Sequence, residues 1–215
     1  MEIFSAPDRM TTADLLPGLS AQFPEITERP SLDWPAFNIP APILVPAMTH
    51  LRDAHGFDML VDVTAVDWEH ETPRFSSVYH LLSTSKHVYL RVVTACEEVD
   101  DTPRVPSLVS VWPAAGWHER ETYDMFGIIF EGHGDLRRIL MWEGYPHFPL
   151  RKEFPLAGIE TELPDAEVAE ETGAKVKSAP MMGGPFVAPQ ASVMSRREPR
   201  ARDESWTEGQ EKPQR

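Results

Sequence analysis

Cysteine is almost absent from this chain: Cys96 is the single one in 215 residues. One thiol cannot close an internal disulfide, and within the chain it excludes a Cys-ligated iron–sulfur cluster or zinc finger. Long apolar runs are missing too, every stretch falling far short of the ~20 residues that span a bilayer. No basic n-region joins an apolar h-region at the N-terminus, so no secretory signal is expected. Positive charge is in deficit, with a formal net charge of −14 and an isoelectric point near 4.9. That field repels polyphosphate and argues against nucleic acid or an anionic lipid surface as the main partner. These absences lead us to expect a soluble, cytosol-side chain of one domain, or of one domain with tails.

Proline is present in excess, 21 residues placed unevenly. Eight fall in residues 1–46 and six in 157–215, against seven in the 110 residues between. Proline lacks the donor that helices and central strands need, so the two ends are expected to be extended and the middle folded. Residues 1–45 carry scattered apolar side chains (Leu15, Leu16, Phe23, Ile26, Trp34, Phe37) cut by prolines. They read as a Pro-rich N-terminal arm, either a disordered leader or one anchored on a partner through Trp34 and Phe37.

From residue 46 the pattern is that of a domain ending near 156. A helix is expected over residues 47–55, stopped at Gly56. Residues 57–66 alternate apolar and polar, a strand with one buried side. Residues 74–83 and 86–95 read as two more strands, joined at Thr84-Ser85 in a hairpin. Residues 97–104, acidic and polar, read as a loop. Leu108, Val111, Trp112 and Ala115 lie at offsets 0, 3, 4 and 7, a short helical stripe, and a second helix is expected over 117–126, ending at Gly127. The fold class is α+β: a mostly antiparallel sheet with flanking helices, followed by an extended Pro-rich strap and a low-complexity tail. The charged, Pro-rich residues 157–215 form that tail, with a solvated helix possible over 160–177.

The densest chemistry lies in 117–155, where Glu119, Arg120, Glu121 and Asp124 precede the break at Gly127. Then come an apolar run (Ile128 to Phe130), His133 between Gly132 and Gly134, and the pair Arg137-Arg138. Arg120 and Asp124 are four apart and can pair on one helical face. Charges surround this helix, which makes it a solvated face or a seam against another subunit. Residues 144–155 hold three prolines in twelve, a strap anchored by Tyr145, His147, Phe148 and Phe154 and gripped by Arg151 and Lys152. His118, Glu119, Glu121, Asp124, His133 and His147 are possible metal ligands, but none forms an HExxH or Glu-x-x-His pattern. An acid–base enzyme built on Glu119, Glu121 and His133 has no nucleophile and no phosphate-binding glycine loop to support it.

These residues resemble the signature of the C subunit, or thirty-kilodalton subunit, of respiratory NADH–quinone oxidoreductase (bacterial complex I). The matching positions are Glu119-Arg120-Glu121, Asp124, Phe126-Gly127-Ile128, Phe130 and Gly132-His133, then Leu136-Arg137-Arg138-Ile139-Leu140 and Pro149 to Pro155. Gly134 stands where the family has proline, and Glu153 where it has aspartate. Looser similarity reaches back to about Pro46. The resemblance implies a non-redox structural subunit of the peripheral arm, docked on the quinone-site D subunit beside the B and I subunits. It implies no catalytic, cofactor-binding or metal residues here, with FMN and iron–sulfur clusters in partner subunits and NADH-to-quinone (ubiquinone) electron transfer performed by the whole. It further implies a peripheral position on the cytoplasmic side of the cell inner membrane, membrane association through the complex only, and no nucleic acid. Glu119, Arg120, Glu121, Asp124, His133, Arg137, Arg138, Arg151 and Lys152 are then the candidate subunit-docking residues, and Arg138→Ala is expected to leave the fold intact while weakening assembly. A homologous subunit of a membrane-bound hydrogenase or another quinone or ferredoxin oxidoreductase is the alternative. A free-standing acid–base or metal-dependent enzyme is the third reading.

Overall fold

Alternating residues 59–67 build the strand on which the rest is assembled. The computed structural model describes residues 12–155, 159, 161–162, 165–173 and 175–176. The chain divides into two units, Met1–Lys152 and Glu153–Arg215.

In the first unit, α1 (Thr12–Gln22), β1 (Thr27–Glu28), β2 (Ala36–Asn38) and a 3-10 turn at Ala41–Ile43 lead into α2 (Leu44–Asp53). Three long strands follow, β3 (Met59–Asp67), β4 (Phe75–Ser83) and β5 (Val88–Ala95). Next come β6 (Glu97–Val99), β7 (Thr102–Pro106), α3 (Ala115–Phe126) and β8 (Ile129–Glu131). The main sheet runs β1-β2-β5-β4-β3, antiparallel except where β2 lies parallel to β5, and β6-β7-β8 form a smaller sheet. Leu60, Leu81 and Leu90 are aligned across β3, β4 and β5, as are Val63, Tyr79 and Val92. These rows bury one face of the sheet together with Leu51 of α2 and Ala115 and Phe126 of α3. The expected α+β architecture is what forms.

Three expectations are corrected. Residues 1–45 are not a free arm: from Thr12 onward they fold, with Leu15, Leu19, Phe23 and Ile26 in the same core as the sheet. Their prolines do not keep the stretch extended throughout, since Pro17 lies inside α1 and Pro42 in the 3-10 turn; the extended residues 36–38, just after Pro35, pair with Arg91–Val93. Residues 1–11 lie outside the described residues. The acidic stretch 97–104 is a hairpin of β6 and β7 rather than a loop; Asp100 and Asp101 take φ of 50° and 58°, the left-handed pair that a two-residue hairpin turn requires. The stripe Leu108, Val111, Trp112 and Ala115 is buried, but residues 108–112 lie outside any helix and Ala115 opens α3, because Pro113 interrupts a helix there.

The strap is extended only over 145–148, between turns at Glu143–Gly144 and Pro149–Leu150. Among the described residues of the second unit, β9 (Thr161–Glu162) pairs with β10 (Lys175–Val176) around α4 (Ala166–Thr172). Asp165 caps α4 by accepting from the amides of Glu167 and Val168, and Gly173 closes it in the left-handed conformation. The expected solvated helix is thus present but shorter, and the remainder of the tail lies outside the described residues.

Candidate functional site

Helix α3 carries the signature, and its buried positions Ala115, Glu119, Thr122 and Phe126 recur at helical spacing. Thr122 Oγ1 donates to the Val63 carbonyl at 2.9 Å, tying this face to β3. Gly127 ends the helix at φ 76°, and a Cβ there would come within 2.6 Å of Arg151 Nη2 and 2.7 Å of the Phe148 ring. Glycine is required twice over, by the backbone angle and by the strap crossing it.

Glu119 is fully buried and faces no Arg or Lys among the described residues. Its carboxyl accepts from Ser107 Oγ and from the Leu108 amide, both at 2.7 Å. Burial pushes its pKa up, against the pull of those two donors and of His133. It fixes the turn before α3 rather than reaching outward.

Asp124, also fully buried, is held in the opposite sense. Oδ2 accepts from three successive amides, Ile139 (2.9 Å), Leu140 (2.6 Å) and Met141 (2.8 Å), while Oδ1 takes Arg138 Nη1 at 2.6 Å. Burial raises its pKa, but the Met141 amide, the Arg138 guanidinium and the other two amides outweigh it, so the carboxyl sits below its ordinary value. Arg138 also donates to the carbonyls of Asp124 and His147 and lies 5.0 Å from the Phe148 ring centre. One buried ion pair thus clamps the 137–148 segment across α3.

The other signature residues divide between inside and outside. Arg120 pairs not with Asp124, as its spacing allowed, but with the carbonyls of Arg137 and Arg138 at 3.2 and 3.1 Å. His133 Nδ1 accepts the Asp135 amide at 3.0 Å, so Nε2 carries the proton and donates to the Gly116 carbonyl at 3.0 Å. Arg151 Nε donates to the Phe126 carbonyl at 2.6 Å. The Lys152 amide donates to Asp67, a buried carboxylate gripped by Arg74 at 2.8 and 2.7 Å. Glu121, Arg137 and the Lys152 side chain remain at the surface, Arg137 beside Asp135 at 3.0 Å.

Several side chains outside the predicted set share that surface: Trp117 is 65% exposed, Leu140 60%, Leu150 54% and Ile139 37%. The Arg120 guanidinium joins them, 5.2 Å from the Trp117 ring while bonded to the 137–138 backbone. Leu150 enters at the far end of α3, where its amide donates to the Met125 carbonyl. From Trp117 to Met125 the helix rises about 12 Å, the length of this apolar ridge. The sequence signal was an Ile-Leu pair in a stretch with neither helical nor strand period, which buries nothing of its own.

Among the described residues no group of three His, Cys, Asp or Glu is placed to hold a metal, and no helix is long and apolar enough to cross a membrane. Burial pushes the Cys96 thiol up to about 12.

The family model for the respiratory-chain NADH dehydrogenase 30 kDa subunit matches residues 37–160. The C subunit of the NADH-quinone oxidoreductase of Phenylobacterium zucineum is 42% identical over 154 residues, 72% of either chain. The second C/D subunit of the Aquifex aeolicus NADH-quinone oxidoreductase is 43% identical over 129 residues, which are 60% of this chain and 21% of that one. Among solved structures, the trypsin-resistant fragment (1–134) of Nqo5 matches with a TM-score of 0.50 at 28% identity, over 58% of this chain and 98% of the fragment.

Proposed function

The chain belongs to the family of the 30 kDa subunit of respiratory-chain NADH dehydrogenase, and on that premise we propose that it is a non-redox structural subunit docking on the quinone-site D subunit. Its relatives are subunits of a hetero-oligomeric electron-transport complex. The observation that carries the proposal is the ridge of Trp117, Ile139, Leu140 and Leu150 beside Arg137 and Lys152. Burying one such large apolar side chain at an interface contributes about 1.5–3 kcal/mol, and Trp and Arg are the usual anchors.

The internal bonds of the signature support this division of labour. Glu119, Asp124, Arg138 and Arg151 are spent holding α3, the Gly127 turn and the strap in place, so they stiffen the ridge rather than touch the partner. Arg120, Arg137, Glu121 and Lys152 supply polar contacts around it. The Aquifex relative, whose name joins C and D, supports D as the neighbour. Contacts with the B and I subunits, a peripheral position on the cytoplasmic side of the inner membrane, and flavin and clusters held by other subunits complete the proposal. One buried thiol held protonated at neutral pH is no cluster ligand, and the buried signature carboxylates Glu119 and Asp124 are taken up by donors of their own chain. No catalytic step is assigned to this chain.

The test is a pull-down of the tagged chain from mild-detergent membranes, with mass spectrometry and quinone-dependent NADH oxidation as readouts. Recovery of the D subunit in an NADH-oxidising assembly is expected. Recovery of the chain alone would overturn the proposal, and an assembly without NADH activity would move it to another donor.

A further inference from the structure

The face of the five-stranded sheet turned away from the core is unlike the usual solvated face of an antiparallel sheet. Register aligns Met59, Leu82 and Tyr89 in one row and Asp62, His80 and Arg91 in the next. In the first row Met59 is 46% exposed and Tyr89 38%, and Trp34 extends it with its ring centre 5.1 Å from that of Tyr89. Trp34, Tyr89 and Val61 are the aromatic and aliphatic walls of a groove of about 290 Å³, whose polar lining is Asp62, His80 and Arg91.

Charge in that groove is unevenly satisfied. Arg91 is fully engaged, bidentate to Asp33 at 2.8 and 3.1 Å and donating Nε–H to His80 Nε2 at 3.1 Å. Because His80 Nε2 accepts, its Nδ1 carries the proton and faces Asp62 from 4.0 Å, beyond hydrogen-bond reach. Burial first, and the Arg91 charge second, push the His80 imidazole below its ordinary value, which keeps it neutral at pH 7. The other neighbour of Asp62 is His118 Nδ1 at 3.3 Å. Among the described residues no Lys or Arg meets the Asp62 carboxylate, whose side chain is 46% exposed. An acidic oxygen pair stands beside two aromatic faces and an apolar row.

We propose that this sheet face is a second docking surface, and that its groove takes an arginine side chain of another subunit of the same assembly. A guanidinium matches the site in each respect. Its plane stacks on the Trp34 and Tyr89 rings, its fork spans the two Asp62 oxygens, and its methylene stem lies along Val61. Apolar neighbours of that arginine cover Met59 and Leu82. The proposal rests on the reading above only in needing an assembly; the surface is distinct from the Trp117 ridge.

The experiment is hydroxyl-radical labelling of the purified assembly and of the full chain alone, read residue by residue by mass spectrometry, in parent, Asp62→Asn and Asp62→Lys. Labelling of Trp34 and Tyr89 is expected to fall about fivefold on assembly, as in a water-excluding interface. Both variants are expected to restore most of it while Trp117 stays protected. Asn keeps the shape of an exposed side chain, so its result stands even if the Lys variant misfolds. Equal labelling of Trp34 and Tyr89 alone and assembled would overturn the second surface. Protection that persists in both variants would overturn the cationic occupant. Failure of the first docking proposal shows separately, as unchanged labelling of Trp117.

Discussion

Asp124→Asn separates a signature that holds this chain together from one reserved for a partner. The asparagine fills the same volume but carries no charge and has one acceptor oxygen. If that oxygen faces the amides of Ile139, Leu140 and Met141, the new NH2 confronts Arg138 Nη1, a donor against a donor. Turned the other way, it leaves three amides unsatisfied. Breaking a buried pair costs about 3–5 kcal/mol, because the remaining charge stays desolvated. A penalty of about 3–4 kcal/mol in a unit of roughly 150 residues lowers Tm by ~10 °C. The assay is thermal and urea unfolding of the isolated full chain at pH 7, followed by circular dichroism. Arg138→Ala is expected to cost a similar amount, with the double variant falling short of the sum by at least ~1 kcal/mol because the two share one interaction. This replaces the expectation that Arg138→Ala spares the fold. A Tm within ~2 °C of the parent, or strictly additive costs, would refute the internal clamp.

Three further outcomes follow from the same geometry. Glu119→Gln is expected to change stability at pH 7 by no more than ~1 kcal/mol, since it keeps an acceptor for Leu108 and removes a buried charge. The raised pKa of Glu119 means its contribution is fully present below the unfolded value near 4.5 and is lost as pH rises through the folded value, so the glutamine variant shows a flatter stability curve above pH 4.5 in pH-resolved urea titrations. Asp67 is the reverse case: despite the opposing effect of burial, Arg74 and the amides of Lys152 and Glu69 lower its pKa from 3.8 to about 2. That shift corresponds to about 2.5 kcal/mol, present above pH ~4 and lost as pH falls towards 2, and Asp67→Asn should remove that acid-side slope. Gly127→Ala, forced to φ 76° with its Cβ against Arg151 and Phe148, is expected to cost about 2–4 kcal/mol in the same unfolding assay.

The sequence carried the central sheet well because 57–66, 74–83 and 86–95 alternate or run apolar with polar breaks between them. Helix α3 was equally legible, with Gly127 as its stop. The role of residues 12–45 was not, because a three-residue strand such as Ala36–Asn38 has no period of its own; it exists only as a partner of β5. The Asp100-Asp101 hairpin was missed for a related reason, since acidic residues mark loops far more often than left-handed turns.

At the site, spacing misassigned what the signature residues touch. Arg120 and Asp124 are helical neighbours, yet Asp124 is claimed by amides fifteen to seventeen positions away. Periodicity within one helix cannot report a loop that folds back over it. The exposed ridge escaped for the opposite reason: charge drew attention to the signature, while Trp117, Ile139 and Leu140 become conspicuous only once their exposure is known.

The central claim is that this ridge meets the D subunit, and site-specific photo-crosslinking tests it most directly. A benzophenone amino acid would be placed at Trp117 and at Leu140 in the cell-expressed chain, with the exposed Val99 on the β6–β7 hairpin as the reference position. The account predicts crosslinks from 117 and 140 to the D subunit and none from 99. Crosslinks from 117 and 140 to other chains only, or from 99 alone, would contradict it.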